Sequence, residues 1–164
     1  MQADTRSYKR PESVLVVVYT RAGRALMLRR ADFPEFWQSV TGSMEWTDAT
    51  PLATAMRELR EETGLIAGPA DLRDWHASNR YVLFPHWRHK YAPGTVENTE
   101  HVFSLELADE PPINLTPAEH SEYVWIPLAD AARLAFSWTN RDALLALEAE
   151  RDRAGPGGRA SEGL

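Results

Sequence analysis

The sequence predicts an α/β fold of the α/β/α sandwich type, and three observations carry that reading. Residues 13–19 (SVLVVVY) form a β-branched run suited to a strand buried on both faces. A helical pattern over about 50–63 ends at Gly64, and it begins only after a third strand-like segment. Beyond it the chain returns to strand-like segments, so strands surround few helices. At 164 residues the chain suits one domain with a sizeable core.

Taken in order, residues 1–7 are polar and are expected to be a flexible N-terminus, with the domain spanning 8–150. After the first strand, residues 21–24 (RAGR) read as a turn and 25–30 (ALMLRR) as a second strand. Residues 37–40 suggest a short strand leading into a loop at Gly42. Asp48 precedes Ala49, Thr50 and Pro51, so Asp48 is the expected N-cap, with Pro51 in the first turn. Residues 75–84 suggest one or two strands with a turn near Ser78 and Asn79. Residues 101–107 (HVFSLEL) alternate, and 123–126 form a short strand before Pro127. Two further helices are expected over about 128–135 and 140–150. Residues 151–164 (RDRAGPGGRASEGL) are rich in glycine and charge, and a disordered tail is expected there.

The chemistry concentrates in residues 57–64, RELREETG. With Glu58 at zero on a helical wheel, Glu61 falls at about −60° and Glu62 at about +40°. Leu52, Ala55, Met56 and Leu59 occupy the arc from about 60° to 160°, so a core-facing stripe borders an acidic one. Glu58 and Glu62 are like charges one turn apart, which costs a few tenths of a kcal/mol on an exposed helix. Brought to about 4 Å in a partly buried site, such a pair repels by roughly 4 kcal/mol. Divalent cations would remove that penalty, and hard cations such as Mg²⁺ take carboxylate and phosphate oxygens together. The competing reading is a solvated acidic helix face.

This run resembles the Nudix box, GX5EX7REUXEEXGU with U an aliphatic residue. Residues 57–65 match its second half at every specified position. The first half departs: counting forward from Gly42 puts Asp48 where the family has Glu, and counting back from Arg57 puts Ala49 there. The loop therefore carries one extra residue. Residues 8–11 (YKRP), 36–43 (FWQSVTGS), 88–94 (RHKYAPG), 98–100 (NTE) and 137–141 (SWTNR) resemble the dihydroneopterin triphosphate pyrophosphatase branch of that superfamily. The resemblance implies a mixed, curved sheet between helices and hydrolysis of 7,8-dihydroneopterin triphosphate to the monophosphate and pyrophosphate, on the way to folate. It implies Mg²⁺, with Mn²⁺ as a substitute, held by Glu58, Glu61 and Glu62. Glu119 matches a position outside the box that adds a ligand or base, and Arg57 lies off the acidic arc, placed to orient a glutamate. Thr41 and Ser137 match substrate-contacting positions, Ser137 being equally suited to N-cap the last helix. Tyr81, Val82, Leu83 and Phe84 sit where related enzymes line the pterin pocket, and ordinary core strand is the competing reading for each.

A triphosphate also needs cations to offset its charge. Lys9, Arg30, Arg88 and Lys90 are the candidates; Arg88 and Lys90 stand out because residues 86–90 (HWRHK) form a basic patch in a chain of net charge −6. His86 and His89 have no matching second ligand pair, which argues against a structural zinc site. The net charge implies no general nucleic-acid or membrane surface. There is no cysteine, hence no disulfide or thiolate chemistry, and residues 1–6 lack the apolar stretch of a signal peptide. The expectation is a cytoplasmic protein acting on a small-molecule triphosphate; nothing in the sequence sets an oligomeric state. Two other functions compete: a (deoxy)nucleoside triphosphate pyrophosphatase, and a non-catalytic sensor of a phosphorylated ligand, whose mark would be loss of box glutamates.

Overall fold

The computed structural model describes residues 7–155. The expected flexibility of residues 1–6 and of the tail beyond 155 therefore lies outside the described residues.

Strand β1 (Glu12–Thr20) is buried along nearly its whole length, as its unbroken β-branched run requires. A turn through Gly23, at φ 85, returns the chain as β2 (Arg24–Arg30). The two strands pair only beside the turn, at Tyr19 and Ala25, and then diverge. β3 (Trp37–Gln38) takes up the free edge of β2, while β4 (Val40–Ser43) pairs with Ser13–Val16 of β1. The splayed hairpin thus opens the sheet where the Gly42 loop departs for helix α1 (Pro51–Thr63). β5 (Leu72–Val82) is followed by a 3-10 helix over Pro85–Lys90. β6 (Glu97–Leu107) runs parallel to β1 and antiparallel to β5, and β7 (His120–Pro127) pairs with β2. α2 (Leu128–Leu134) and α3 (Trp138–Arg153) complete the chain.

The seven strands form one mixed sheet, β3-β2-β1-β6-β5, with β4 and β7 added at β1 and β2. Alternation along β1 divides the core between its two faces. Val14, Val16 and Val18 pack with Ala55 and Leu59 of α1. Leu15, Val17 and Tyr19 pack with Ala131, Leu144 and Leu147 of α2 and α3. Helices on both faces of a mixed sheet make the expected α/β/α sandwich.

Three local expectations are corrected, and one further element was not foreseen. The N-cap of α1 is Thr50, whose hydroxyl accepts from Ala53 N at 3.2 Å, and not Asp48. β5 does not turn at Ser78 and Asn79; its pairing with β6 is interrupted between Asp74 and Ser78, where His76 adopts φ 51. Residues 85–90 wind into a 3-10 helix that the Pro85 start permits and the charged composition concealed. α3 begins earlier than residue 140 and continues to Arg153, where the Arg151 guanidinium donates to Arg21 O at 2.8 Å. The tail expected from residue 151 is therefore helical for its first three residues. The Gly64 stop is as expected: at φ 78 its N–H closes on Arg60 O.

Candidate active site

A cleft of about 1300 Å³ lies between the α1 end of β4, the N-terminal segment at Tyr8–Arg10, the 3-10 helix and the start of α3. One end is acidic. Glu58, Glu61 and Glu62 all line it, joined by Glu119 from the turn before β7. Glu62 is buried, 4% exposed, and its Oε2 accepts from Thr41 N at 3.2 Å. Burial and the neighbouring Glu58 charge hold the Glu62 carboxyl well above the usual range. Glu58 is pushed up to about 7, chiefly by burial, against the opposing pull of Arg57. Gly42 makes room for it: a Cβ there would overlap the Glu58 Cγ, Cδ and Oε1. Glycine at the loop is thus needed for the close approach of strand to glutamate.

Arg57 ties this cluster to the loop. Its Nη1 donates to Glu58 Oε1 at 2.9 Å and lies 3.5 Å from Glu61 Oε2, while Nη2 donates to Asp48 Oδ2 at 2.9 Å. The same Asp48 oxygen accepts from Glu45 N at 2.7 Å and from Thr54 Oγ1 at 2.8 Å. Asp48 therefore folds the longer loop onto the helix and anchors the arginine that holds Glu58. Its short side chain faces the guanidinium, and the expected capping duty belongs to Thr50.

Glu62, Glu119 and His120 each bring a potential ligand atom within 4.8 Å of the others. Burial, and then the Arg30 charge, lower His120 to about 4, so its imidazole is neutral near pH 7. Its Nε2 lies 3.4 Å from the Gln38 amide nitrogen, and Nδ1 is buried without a partner among the described residues. His120 was missed in the sequence because nothing local distinguishes it from a loop histidine. The donor set is oxygen-rich and crowded, its carboxyls raised by burial first and then by one another's charge, which fits a hard divalent cation.

Cations stand opposite. Lys9, Arg30 and Lys90 line the cleft. They lie close enough that Lys90 and Arg30 add to burial in lowering the Lys9 ammonium. Arg30 is braced by Asp32, at 2.8 Å, and lies over the Trp87 ring at 4.9 Å. Arg88 does not join them: it is absent from the cleft lining, and its Nε donates to Leu83 O at 3.1 Å, closing the 3-10 turn.

The same cleft also has an aromatic part. Tyr81, Val82, Leu83 and Phe84 line it, as do Ser137 and Trp138. Phe84, Trp87 and Phe136 form part of an aromatic cluster, with Phe84 edge-on to Trp87 at 5.3 Å and Phe36 stacked on Phe136 at 4.5 Å. His86 is inside this cluster, 4.5 Å from Trp87 and 5.1 Å from Phe33, and so packs as an aromatic. Ser137 lines the cleft, and its Oγ accepts from Asn140 N to cap α3, as one of its two readings expected. Asn98 and Glu100 of β6 were missed as site residues, although their tripeptide had contributed to the resemblance.

With this geometry in view, the chain belongs to the Nudix family: the NUDIX domain profile matches residues 9–147. Among its relatives is the dihydroneopterin triphosphate diphosphatase of Escherichia coli K12, 46% identical over 140 residues, covering 84% of this chain and 91% of that one. The enzyme of the same name from Haemophilus influenzae is 42% identical over 142 residues, covering 84% and 87%. The solved structure of the Escherichia coli dihydroneopterin triphosphate pyrophosphohydrolase matches with a TM-score of 0.77 at 45% identity, over 84% of this chain and 94% of that one. No helix among the described residues is long and apolar enough to cross a membrane.

Proposed function

We propose that this chain is a Mg²⁺-dependent pyrophosphohydrolase that converts 7,8-dihydroneopterin triphosphate and water to the monophosphate and pyrophosphate. The observation that carries the reading is the division of one cleft into an acidic end, a cationic middle and an aromatic chamber. A substrate with a flat ring, a short linker and a triphosphate meets each in turn, and the relatives named above act on such a molecule.

Glu58, Glu61 and Glu62, with Glu119, would hold the divalent ion, Mn²⁺ substituting for Mg²⁺. When bound, the ion polarises phosphoryl oxygens and acidifies water. Arg57 keeps Glu58 turned toward the cleft through its bonds to Asp48 and Glu58. Lys9, Arg30 and Lys90 bind phosphate oxygens and offset the acids, since carboxylates alone would repel the polyanion. Thr41 N fixes the Glu62 carboxylate. A glutamate carboxylate takes the proton of the attacking water as the phosphorus–oxygen bond between the α- and β-phosphates breaks. Tyr81, Leu83, Phe84 and Ser137 border the ring. The substrate is a soluble metabolite, which assigns the protein to the cytoplasm.

The test is pyrophosphate release with Mg²⁺ over a panel of dihydroneopterin triphosphate, dATP and 8-oxo-dGTP, with products identified. Preferred turnover of the pterin supports the proposal. Preferred turnover of a nucleotide would replace it with a nucleoside triphosphate pyrophosphatase, and binding without release would leave a sensor.

A further inference from the structure

The aromatic chamber contains a second buried acid, remote in sequence from the Nudix box. Glu100 is 4% exposed and lines the cleft. Only Glu62 and Glu100 are buried acids among the described residues. Neither has an ion pair among those residues, but Glu62 has the Glu58 charge beside it, whereas the neighbour of Glu100 is the Thr139 hydroxyl at the start of α3. The Glu100 Oε1 has no hydrogen-bond partner among the described residues. Two residues earlier on the same face of β6, Asn98 is 2% exposed, and its Oδ1 also lacks a partner among the described residues. The Asn98 amide nitrogen is already committed, donating to Ser13 Oγ at 2.7 Å and Tyr81 Oη at 3.0 Å. Those two bonds fix the side chain with its oxygen unused.

Two buried acceptors with nothing to accept are costly unless something supplies hydrogens. Both line the cleft, so that supply comes from whatever occupies it. A cation in this position would meet one carboxylate with the Tyr81 phenol and the Thr139 hydroxyl beside it, and no second acid acting on it. A flat ring edge bearing adjacent N–H groups fits instead, because a carboxylate accepts two parallel N–H bonds. Such an edge exists where an amino group sits beside a protonated ring nitrogen, as in the 2-amino-4-oxo-pyrimidine portion of a pterin or of guanine. Adenine and hypoxanthine lack it.

We propose that Glu100, supported by Asn98 and Thr139, selects the ring of the substrate by accepting hydrogen bonds from the N–H edge of a 2-amino-4-oxo-pyrimidine. The inference rests on the proposed triphosphate chemistry of the same cleft and adds what the ring must carry. It makes Glu100 a specificity determinant distinct from the glutamates at the acidic end. The rejection of rings without the edge comes from leaving the buried carboxylate unsatisfied.

The experiment compares wild type with Glu100→Gln, using dihydroneopterin triphosphate, GTP and ITP. Each purine is scored as a substrate or, where it is not turned over, as a competitive inhibitor. GTP and ITP differ only in the 2-amino group. Wild type should favour GTP over ITP by about tenfold or more, the cost of leaving a buried acceptor unmatched. In Glu100→Gln that ratio should fall close to one, and KM for dihydroneopterin triphosphate should rise by about tenfold with a smaller change in kcat. Equal treatment of GTP and ITP by wild type overturns the proposal, even if the variant does not fold. So does a variant that retains the wild-type ratio. Failure of wild type to release pyrophosphate from dihydroneopterin triphosphate counts against the earlier reading alone, because the GTP:ITP comparison still decides for Glu100.

Discussion

The two ends of the cleft bury acid in opposite ways. At the metal end, Glu58 and Glu62 repel one another, and Arg57, Asp48 and Thr41 N hold them in place by ion pairs and a backbone donor. At the ring end, Glu100 is as buried as Glu62 but has one hydroxyl beside it and no second carboxylate acting on it. The first arrangement suits a partner carrying concentrated positive charge, and the second a neutral partner with directed N–H groups. Their difference shows that burial alone does not define the role of a carboxylate; the company it keeps does.

The sharpest way to break the comparison is Glu62→Gln. Loss of a metal ligand should lower kcat by on the order of a hundredfold or more, while the metal-free melting temperature stays level or rises as like-charge crowding is relieved. Mg²⁺ should then raise the melting temperature less than it does in wild type. Undiminished turnover would remove Glu62 from the metal site and collapse the contrast with Glu100.

Gly42→Ala attacks the same end sterically. The new Cβ meets the Glu58 carboxyl, so we expect a stability loss of about 1–3 kcal/mol in urea and a marked fall in activity. Normal stability and turnover would show that Glu58 does not need its position against β4.

Titration gives a third measurement. The Glu58 carboxyl lies at about 7 when folded against an ordinary 4.5, so the folded state holds its proton more tightly than the unfolded state does. That contribution favours folding at low pH and is lost as pH rises from about 4.5 through 7. Without metal, the melting temperature of wild type minus that of Glu58→Gln should therefore fall across this window and level off above it. His120, with its value lowered to about 4, acts in the reverse sense below its ordinary 6.5, and the subtraction removes it. A flat difference would show that burial does not perturb Glu58.

The smallest effects separate the two residues exchanged in the helix start. Thr50→Ala should cost about 1 kcal/mol with little change in kcat, as expected for a cap. Asp48→Asn should cost a similar ~1 kcal/mol and should also weaken catalysis a few-fold, because the partner of Arg57 loses its charge. An Asp48→Asn variant indistinguishable from wild type in both would mean that Arg57 positions Glu58 without help from the loop.

The residues that could be read in the chain are those whose partners lie within a turn or two. The acids of α1, the Gly64 stop and the doubly buried β1 follow from spacing and burial pattern, since a helix or strand fixes them locally. The same locality located Glu58, Glu61 and Glu62 and the core stripe beside them. It failed where one side chain had several suitors: Asp48 and Thr50 both have cap chemistry, and only the position of Arg57, nine residues on, allots them different tasks. Arg88 and Lys90 are equivalent in a basic run, yet the 3-10 turn spends one on Leu83 O and sends the other to the cleft. Asn98 and Glu100 marked the family resemblance but not a site, because their surroundings come from Ser13, Tyr81 and Thr139 on three other elements. The sequence by itself determined the sandwich, the acidic helix and the family. The tertiary structure alone decided which cations face those acids and which buried acceptors are left open at the ring end, since burial and pairing depend on neighbours that only the folded sheet brings together.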